Sequence, residues 1–476
     1  MVKSKDTPYY ANSQAHKKHK PKEKRTPRIT ANTPVGVCED RLTAFGGLIA
    51  LVKMFDLLEL EKEFDRIYSA PKRLPHLGHY RMVCGFLMLL FIGFQRLGHF
   101  SYLRGEGMLC GFLKVSLLPV ASTFWRYLRS LGLGQSASLL KLSGVLREKV
   151  WALTKYAPDS VEVNIDTTTT TVYGKIEGSR KGYNPKHRGK KGLRPVLCFL
   201  QETREYLCGT QRRGETLCAK ETARLIGQIR KLLPSCVEKV LVRGDGEMIG
   251  WESVEACEKA GFSFIFGNKR CIPPFAKRGW YRHGDHEYNE CVYQPIGWEK
   301  PCRFVAMRIR EERAQEKQLN LPELEGFVHR VFATNLALRP HHVVEKYDLR
   351  ADVENLIGES QREGLLAIPS RSFQSNHAFF QIVMLAYNLW RWMKLMAGHC
   401  EEEKRKGKAP EEKKQISMPD HTLRIARLKM LFVAAKIQYH GHRDVVRYSI
   451  HDDRTPGLLR FIKYLDRKRL EIHPAA

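Results

Sequence analysis

Asp166, Asp245 and Glu354 are three carboxylates placed where phosphodiester chemistry would need them. Cleaving or transferring a phosphodiester with two metal ions takes carboxylates from different elements, each ligating Mg²⁺ or Mn²⁺ through oxygen, with the ions about 3.5–4 Å apart. Val161, Val163 and Ile165 alternate with Glu162, Asn164 and Asp166, a period of two that predicts a strand with polar groups on one side. Asp245 ends the run Lys239-Val-Leu-Val-Arg-Gly-Asp245, which reads as a second strand. Tyr347, Arg350, Glu354 and Gln361 fall within about 60° of one another at about 100° per residue, so a helix there carries all four on one face.

These groups need a scaffold, and the pattern supplies one. Strands are expected over 194–201 and 205–210 as a hairpin, then a helix over 216–233, a strand over 239–243, a helix over 251–260 and a strand over 262–266. The order βββαβαβ is that of an α/β, ribonuclease H-like fold, a mixed sheet flanked by helices. In it the strands bearing Asp166 and Asp245 are central neighbours, and both carboxylates converge at one edge. Segment 270–340 interrupts the pattern with short aromatic strands over 288–293, 302–308 and 328–334. A helical region begins at Pro340, and an apolar helix is expected from about 373 to 396.

With their neighbours, these residues resemble a known family, the DDE transposases of bacterial insertion sequences, over about 160–400. One group is Asn164-Ile-Asp166-Thr with Tyr173-Gly174-Lys175 and the Gly/Lys/Arg stretch from Gly182 to Gly192. The second is Val242-Arg-Gly-Asp245, and the third is Tyr347-x2-Arg350-x3-Glu354-x6. A downstream stretch over 376–389 resembles the group-one transposase DDE domain, insertion-sequence family thirteen-eighty. The resemblance implies a catalytic, metal-binding triad of Asp166, Asp245 and Glu354 with two Mg²⁺ or Mn²⁺ ions per site. It also implies a homodimer on paired transposon ends that binds terminal inverted repeats, cleaves at the ends and joins the 3′-hydroxyls to target DNA. Passage through a DNA hairpin is an analogy.

Two positions depart from the family pattern. The signature ends in Lys, whereas here Gln361 is followed by Arg362, so the phosphate contact is lost or passes to Arg362. Glu247 stands where a small residue is expected, as an extra ligand or a bystander. Two other readings stay open: a catalytically inactive, transposase-derived DNA-binding protein, and a ribonuclease H-like metal-dependent nuclease that cuts without joining.

The charge agrees with a nucleic-acid partner. In 476 residues, Lys+Arg 80 against Asp+Glu 51 leave a net charge of +29, and the 43% hydrophobic content rules out a disordered chain. The longest apolar run, 82–94, is shorter than the ~20 residues of a membrane span, so no membrane is expected. Lys175, Arg180, Lys181, Lys186, Arg188, Lys190, Lys191 and Arg194, opposed only by Glu177, form a loop that would grip the scissile strand; a solvated hairpin loop is the plain alternative.

The remaining chain divides by composition. Residues 1–32 are a basic arm with almost no aliphatic residues, expected to be disordered until it meets phosphates. Residues 33–156 read as a helical DNA-binding domain, in which the Leu118-Pro119 break before Ser122-Thr123 resembles a helix-turn-helix presenting Ser122, Thr123, Arg126 and Arg129; an ordinary helical hairpin fits as well. The core is expected at 157–269 and 341–400, with a β-rich insertion at 270–340, a charged linker at 401–415 and a basic segment at 416–476. In the insertion Trp298 is the preferred aromatic for stacking on an unpaired base, the alternative being a small β core. Twelve cysteines without a CxxC pair indicate reduced thiols rather than structural zinc, and no Walker-type loop indicates a nucleotide cofactor. A cytoplasmic, nucleoid-associated protein is expected.

Overall fold

The computed structural model describes residues 29–182, 184, 187–310, 323–324, 327–405 and 418–472; most of the basic arm, Lys186 and most of the 401–415 linker lie outside them. The described residues 29–40 belong to a first unit, in which Thr30 N donates to Thr33 Oγ1 at 2.8 Å to close a turn. The second unit, 41–476, opens with β1 (Arg41–Thr43) and the helices α1 (Leu48–Leu57), α2 (Leu60–Ile67), α3 (Gly78–Phe91), α4 (Gly107–Leu113), α5 (Ala121–Arg129) and α6 (Leu133–Leu153). The chain then becomes a sheet protein. Its elements are β2 (Ser160–Thr167), β3 (Thr170–Thr171), β4 (Arg180–Lys181), β5 (Lys191–Leu193), β6 (Val196–Leu200), β7 (Tyr206–Thr210), α7 (Ala219–Leu232), β8 (Lys239–Gly244), α8 (Trp251–Lys259) and β9 (Ser263–Asn268). After β10 (Tyr281–His283), β11 (His286–Tyr293), β12 (Cys302–Arg310), β13 (Glu323–Leu324) and β14 (Phe327–Thr334) come α9 (Pro340–Asp348), α10 (Asp352–Ser360) and the long α11 (Phe373–Arg405). A short α12 (Leu423–Ala426), the hairpin β15 (Ala435–His440) and β16 (Arg443–Tyr448), and α13 (Thr455–Ile472) end the described chain.

The large sheet runs β7-β6-β2-β8-β9, with β2 parallel to β8, β8 parallel to β9, and β6 and β7 antiparallel. This is the arrangement expected of βββαβαβ. Val163 lies opposite Val242, so Asp166 and Asp245 leave the sheet at neighbouring strand ends. One face of the central strands buries Val161, Val163, Ile165, Val240, Val242, Phe264 and Phe266 in a common core. On the other face Asn164 and Arg243, a residue of each aspartate motif, are both fully buried. A buried guanidinium requires partners, and Arg243 has them: its Nε donates to Asn164 Oδ1 at 2.8 Å, its Nη2 pairs with Glu162 at 2.8 Å, and it donates to the Lys346 carbonyl of α9.

The β-rich segment 270–340 is not set apart from this sheet. β14 pairs antiparallel with β9, with Phe332 opposite Gly267, and β12, β11 and β10 continue outward in that order. The helices of 33–156, expected as a domain of their own, likewise share one core with α11 and the C-terminal segment. Phe91 of α3 stacks on Trp390 of α11 with ring centroids 4.0 Å apart. Helical periodicity marks an apolar face but not what covers it, and here α11 does.

α11 also finishes the sheet. β7 ends the strand order, and an uncovered edge leaves backbone groups unpaired. Asn388 accepts from Tyr206 N at 2.9 Å and donates to Tyr206 O at 2.7 Å, while Gln381 Nε2 donates to Gly209 O at 2.9 Å. Just before β7 the buried Glu205 accepts from Arg147 Nε, Trp151 Nε1 and Trp392 Nε1, each at 2.8 Å, tying α6, β7 and α11 together.

His377, near the start of α11, meets Thr210 Oγ1 through Nε2 at 2.7 Å, and burial pushes its pKa down to about 4. The unfolded chain, near ~6.5, binds the proton first. His377 therefore contributes stability above pH ~6.5 that is lost as the pH falls through about 4. Urea unfolding midpoints should drop from pH 7 to pH 5 by more in the wild type than in His377→Gln; equal drops would show that His377 is not the responsible group.

Candidate active site

Asp166 and Asp245 line one cavity of about 570 Å³ at the ends of β2 and β8. Each carboxylate is fixed by a nearby backbone amide: Thr167 N, at the end of β2, donates to Asp166 Oδ1 at 2.7 Å, and Glu247 N, in the turn after β8, donates to Asp245 Oδ1 at 3.0 Å. The polar signature reaches the same place. Arg350 pairs with Asp166 at 3.1 Å and donates to the Ile165 carbonyl, and Gln361 Nε2 donates to Thr168 Oγ1 at 2.8 Å. Tyr347 packs on Phe332, and a Cβ at Gly267 would sit 3.1 Å from its hydroxyl, so glycine there admits the ring.

The electrostatics follow from crowding. Burial pushes the Asp166 carboxyl up to about 6; Arg350 pulls it down, and the Asp245 and Glu354 carboxylates push it up again. Burial also raises Tyr347, with Arg350 opposing. Glu354, exposed on α10, is near enough to act on Asp166 but does not line the cavity. Three carboxylates offer only oxygen donors, which is what hard divalent cations take, so in donor type the residues suit Mg²⁺ or Mn²⁺. Among the described residues no three His, Cys, Asp or Glu side chains stand at a spacing that holds an ion, and Arg350 is on Asp166 instead.

Around the cavity the cations divide. Lys175, Arg180, Lys181, Arg188, Lys190 and Lys191 are exposed on the loop that holds β4 and β5, with Arg180 paired to Glu215 at 2.7 Å. Arg194, expected with them, is buried in the cavity wall, where Nη2 donates to both Glu247 oxygens at 2.7 Å and to Thr167 Oγ1 at 3.2 Å. Arg362 is exposed beyond α10. On α5, Phe124, Tyr127 and Leu128 face inward while Ser122, Arg126 and Arg129 are exposed and Thr123 is half-buried. Trp298 packs against Trp251 and Phe304, with centroids 6.1 and 6.0 Å away. It is part of the core flank rather than a free stacking platform.

Lys269 and Arg270 join the site without being singled out by any sequence motif. Both line the cavity, and Arg270 donates to the Glu247 carbonyl at 2.7 Å. Their position directly after the strand that neighbours the Asp245 strand was the available signal.

The sheet and its acidic cavity define an α/β protein with a carboxylate site at the ends of two parallel strands. The family model described as transposase DDE domain group 1 matches residues 34–465, and the chain belongs to that family. No curated protein matches the sequence. Among solved structures the chain is similar to the piggyBac transposase synaptic complex with hairpin DNA, at 8% identity and a TM-score of 0.38 over 77% of this chain and 84% of that one. It is also similar to the Mos1 transposase paired-end complex with the left transposon end, at 11% identity and a TM-score of 0.16 over 36% and 57%. Among the described residues, no helix is long and apolar enough to cross a membrane.

Proposed function

We propose that this protein is a DNA transposase of the insertion-sequence type, binding terminal inverted repeats as a homodimer, cleaving the element's ends and joining their 3′-hydroxyls to target DNA. The observation that carries the reading is the cavity itself: two aspartates at adjacent strand ends, with Arg350 of the signature paired to Asp166 and Gln361 bonded to Thr168 just beyond that strand. Asp166, Asp245 and Glu354 would hold two Mg²⁺ or Mn²⁺ ions. When bound, such ions stabilise the attacking and leaving oxygens of an in-line phosphodiester displacement. The chain's own residues prepare the site: the amides of Thr167 and Glu247 aim the two aspartates, and Arg350 balances Asp166 until the carboxylates are neutralised.

DNA placement falls to the exposed cations. Asn184, from the loop that holds β4 and β5, lines the cavity together with Lys269 and Arg270, so the exposed cations of that loop and these two side chains would hold the DNA at the site, and Ser122, Arg126 and Arg129 of α5 would offer a second contact. Because phosphate neutralisation dominates such binding, affinity for end DNA should fall about 10³-fold or more between 50 and 200 mM salt. Replacing Lys175, Lys190 and Lys191 together by Ala should flatten that dependence in a fluorescence-anisotropy titration, and an unchanged slope would remove the loop from the DNA track.

Incubating linear DNA bearing the element's ends with a target plasmid and Mg²⁺ tests the whole reading. Cleaved and joined products are expected. Binding alone would indicate a transposase-derived DNA-binding protein, and cleavage without joining a nuclease.

A further inference from the structure

The amides that aim the two aspartates belong to Thr167 and Glu247, and these residues are themselves joined through one atom. Arg194 Nη2 donates to Thr167 Oγ1 at 3.2 Å and to both Glu247 oxygens at 2.7 Å. Arg194 is 4% exposed, so the pair is shielded on its side, and charge-assisted bonds of this kind are stronger than neutral ones. Arg270 adds a bond to the Glu247 carbonyl at 2.7 Å, which fixes the turn that carries Glu247. Besides the β2–β8 ladder, which pairs Asn164 with Arg243 as its last partners, and the Arg243 bonds to Asn164 and Glu162, Arg194 thus bridges the segments that carry Asp166 and Asp245 at their cavity ends.

We propose that Glu247 is a positioning residue, acting through Arg194 as a strut that fixes the separation of Asp166 and Asp245, and not a fourth ligand of the metal site. A Glu247 that ligated an ion would have to share with it the two oxygens that now accept from Arg194, weakening the charge balance of a buried guanidinium, which is costly. The strut instead leaves Glu247 neutralised and the two aspartates as the acidic groups facing the cavity from the strand ends. This deepens the transposase reading and rests on it for the identity of the ions, but its first test does not.

That test is amide hydrogen exchange of the metal-free protein, followed in peptides covering Thr167 and Glu247. Both Glu247→Gln and Arg194→Gln should speed exchange at the two amides by about tenfold or more, with thermal unfolding and exchange in α11 unchanged. Exchange at wild-type rates in either variant overturns the strut, whether or not the protein cuts DNA. The second test is a Mg²⁺ competition of Tb³⁺ luminescence. Losing a supporting group costs about 10–100-fold in metal affinity, so both variants should weaken binding alike, and the exchanged pair Arg194→Glu with Glu247→Arg should recover part of it. Weakening by Glu247→Gln alone, with Arg194→Gln unaffected, would make Glu247 a ligand and overturn the proposal. If exchange responds as expected but the wild-type protein neither cleaves nor joins end DNA, the strut stands and the transposase reading fails.

Discussion

Asp166→Asn and Glu354→Gln should each lower the rate of end cleavage by more than about 100-fold, because loss of a group that merely supports a metal site already costs 10–100-fold. Both side chains keep nearly their size, so end-DNA binding should stay within about twofold. Asp166 carries the larger expected effect. It is the carboxylate that the other two acids act on and that Arg350 holds, so its amide removes both the oxygen charge and the partner of a buried guanidinium. A circular-dichroism melt should show the Asp166→Asn protein folded. Cleavage by either variant at more than a tenth of the wild-type rate would contradict the assignment of these residues.

The second large effect concerns stability. Glu205→Ala should destabilise the protein by about 3–5 kcal/mol, the range for breaking a buried ion pair by removing one partner. Arg147 and Glu205 are 0% and 1% exposed, and Glu205 also accepts from the indoles of Trp151 and Trp392. The substitution would therefore leave the Arg147 charge without its carboxylate, held only by the Leu232 and Tyr206 carbonyls, and strand two indole N–H donors between α6, β7 and α11. Replacing both charges, as Arg147→Met with Glu205→Leu, should cost less than Glu205→Ala alone, because no uncompensated charge remains. Urea unfolding followed by tryptophan fluorescence checks both, and a loss under ~1 kcal/mol in Glu205→Ala would show that the joint is not held this way.

What the sequence made legible was local. Alternation over Val161–Asp166 and the apolar run before Asp245 placed both aspartates correctly at strand ends, because a period of two is a property of each strand alone. The four residues expected on one helical face are instead spread over successive elements, with Tyr347 near the end of α9, Arg350 in the turn between α9 and α10, Glu354 on α10 and Gln361 just after it, because residue spacing alone does not reveal where a helix breaks. What stayed hidden depended on neighbours in space. Nothing in the spacing says that Arg194 points into the cavity wall while Lys190 and Lys191 point outward, because the residue after a short strand can turn either way. Trp298 is a large aromatic in a loop by sequence; only the closeness of Trp251 and Phe304 shows that it packs, half-buried, on the flank of the core. The joining of β14 to β9 could not be read, because antiparallel pairing leaves no mark on either strand.

The most direct measurement is strand transfer by the purified protein: labelled DNA ending in the element's inverted repeat, a target plasmid, and either Mg²⁺ or EDTA, with the junctions sequenced. The account predicts that the element's 3′ ends become covalently joined to target DNA in Mg²⁺ only, and that Asp166→Asn abolishes joining while still binding the ends. Joined or cleaved products that appear equally in EDTA, or that persist in Asp166→Asn, would contradict it.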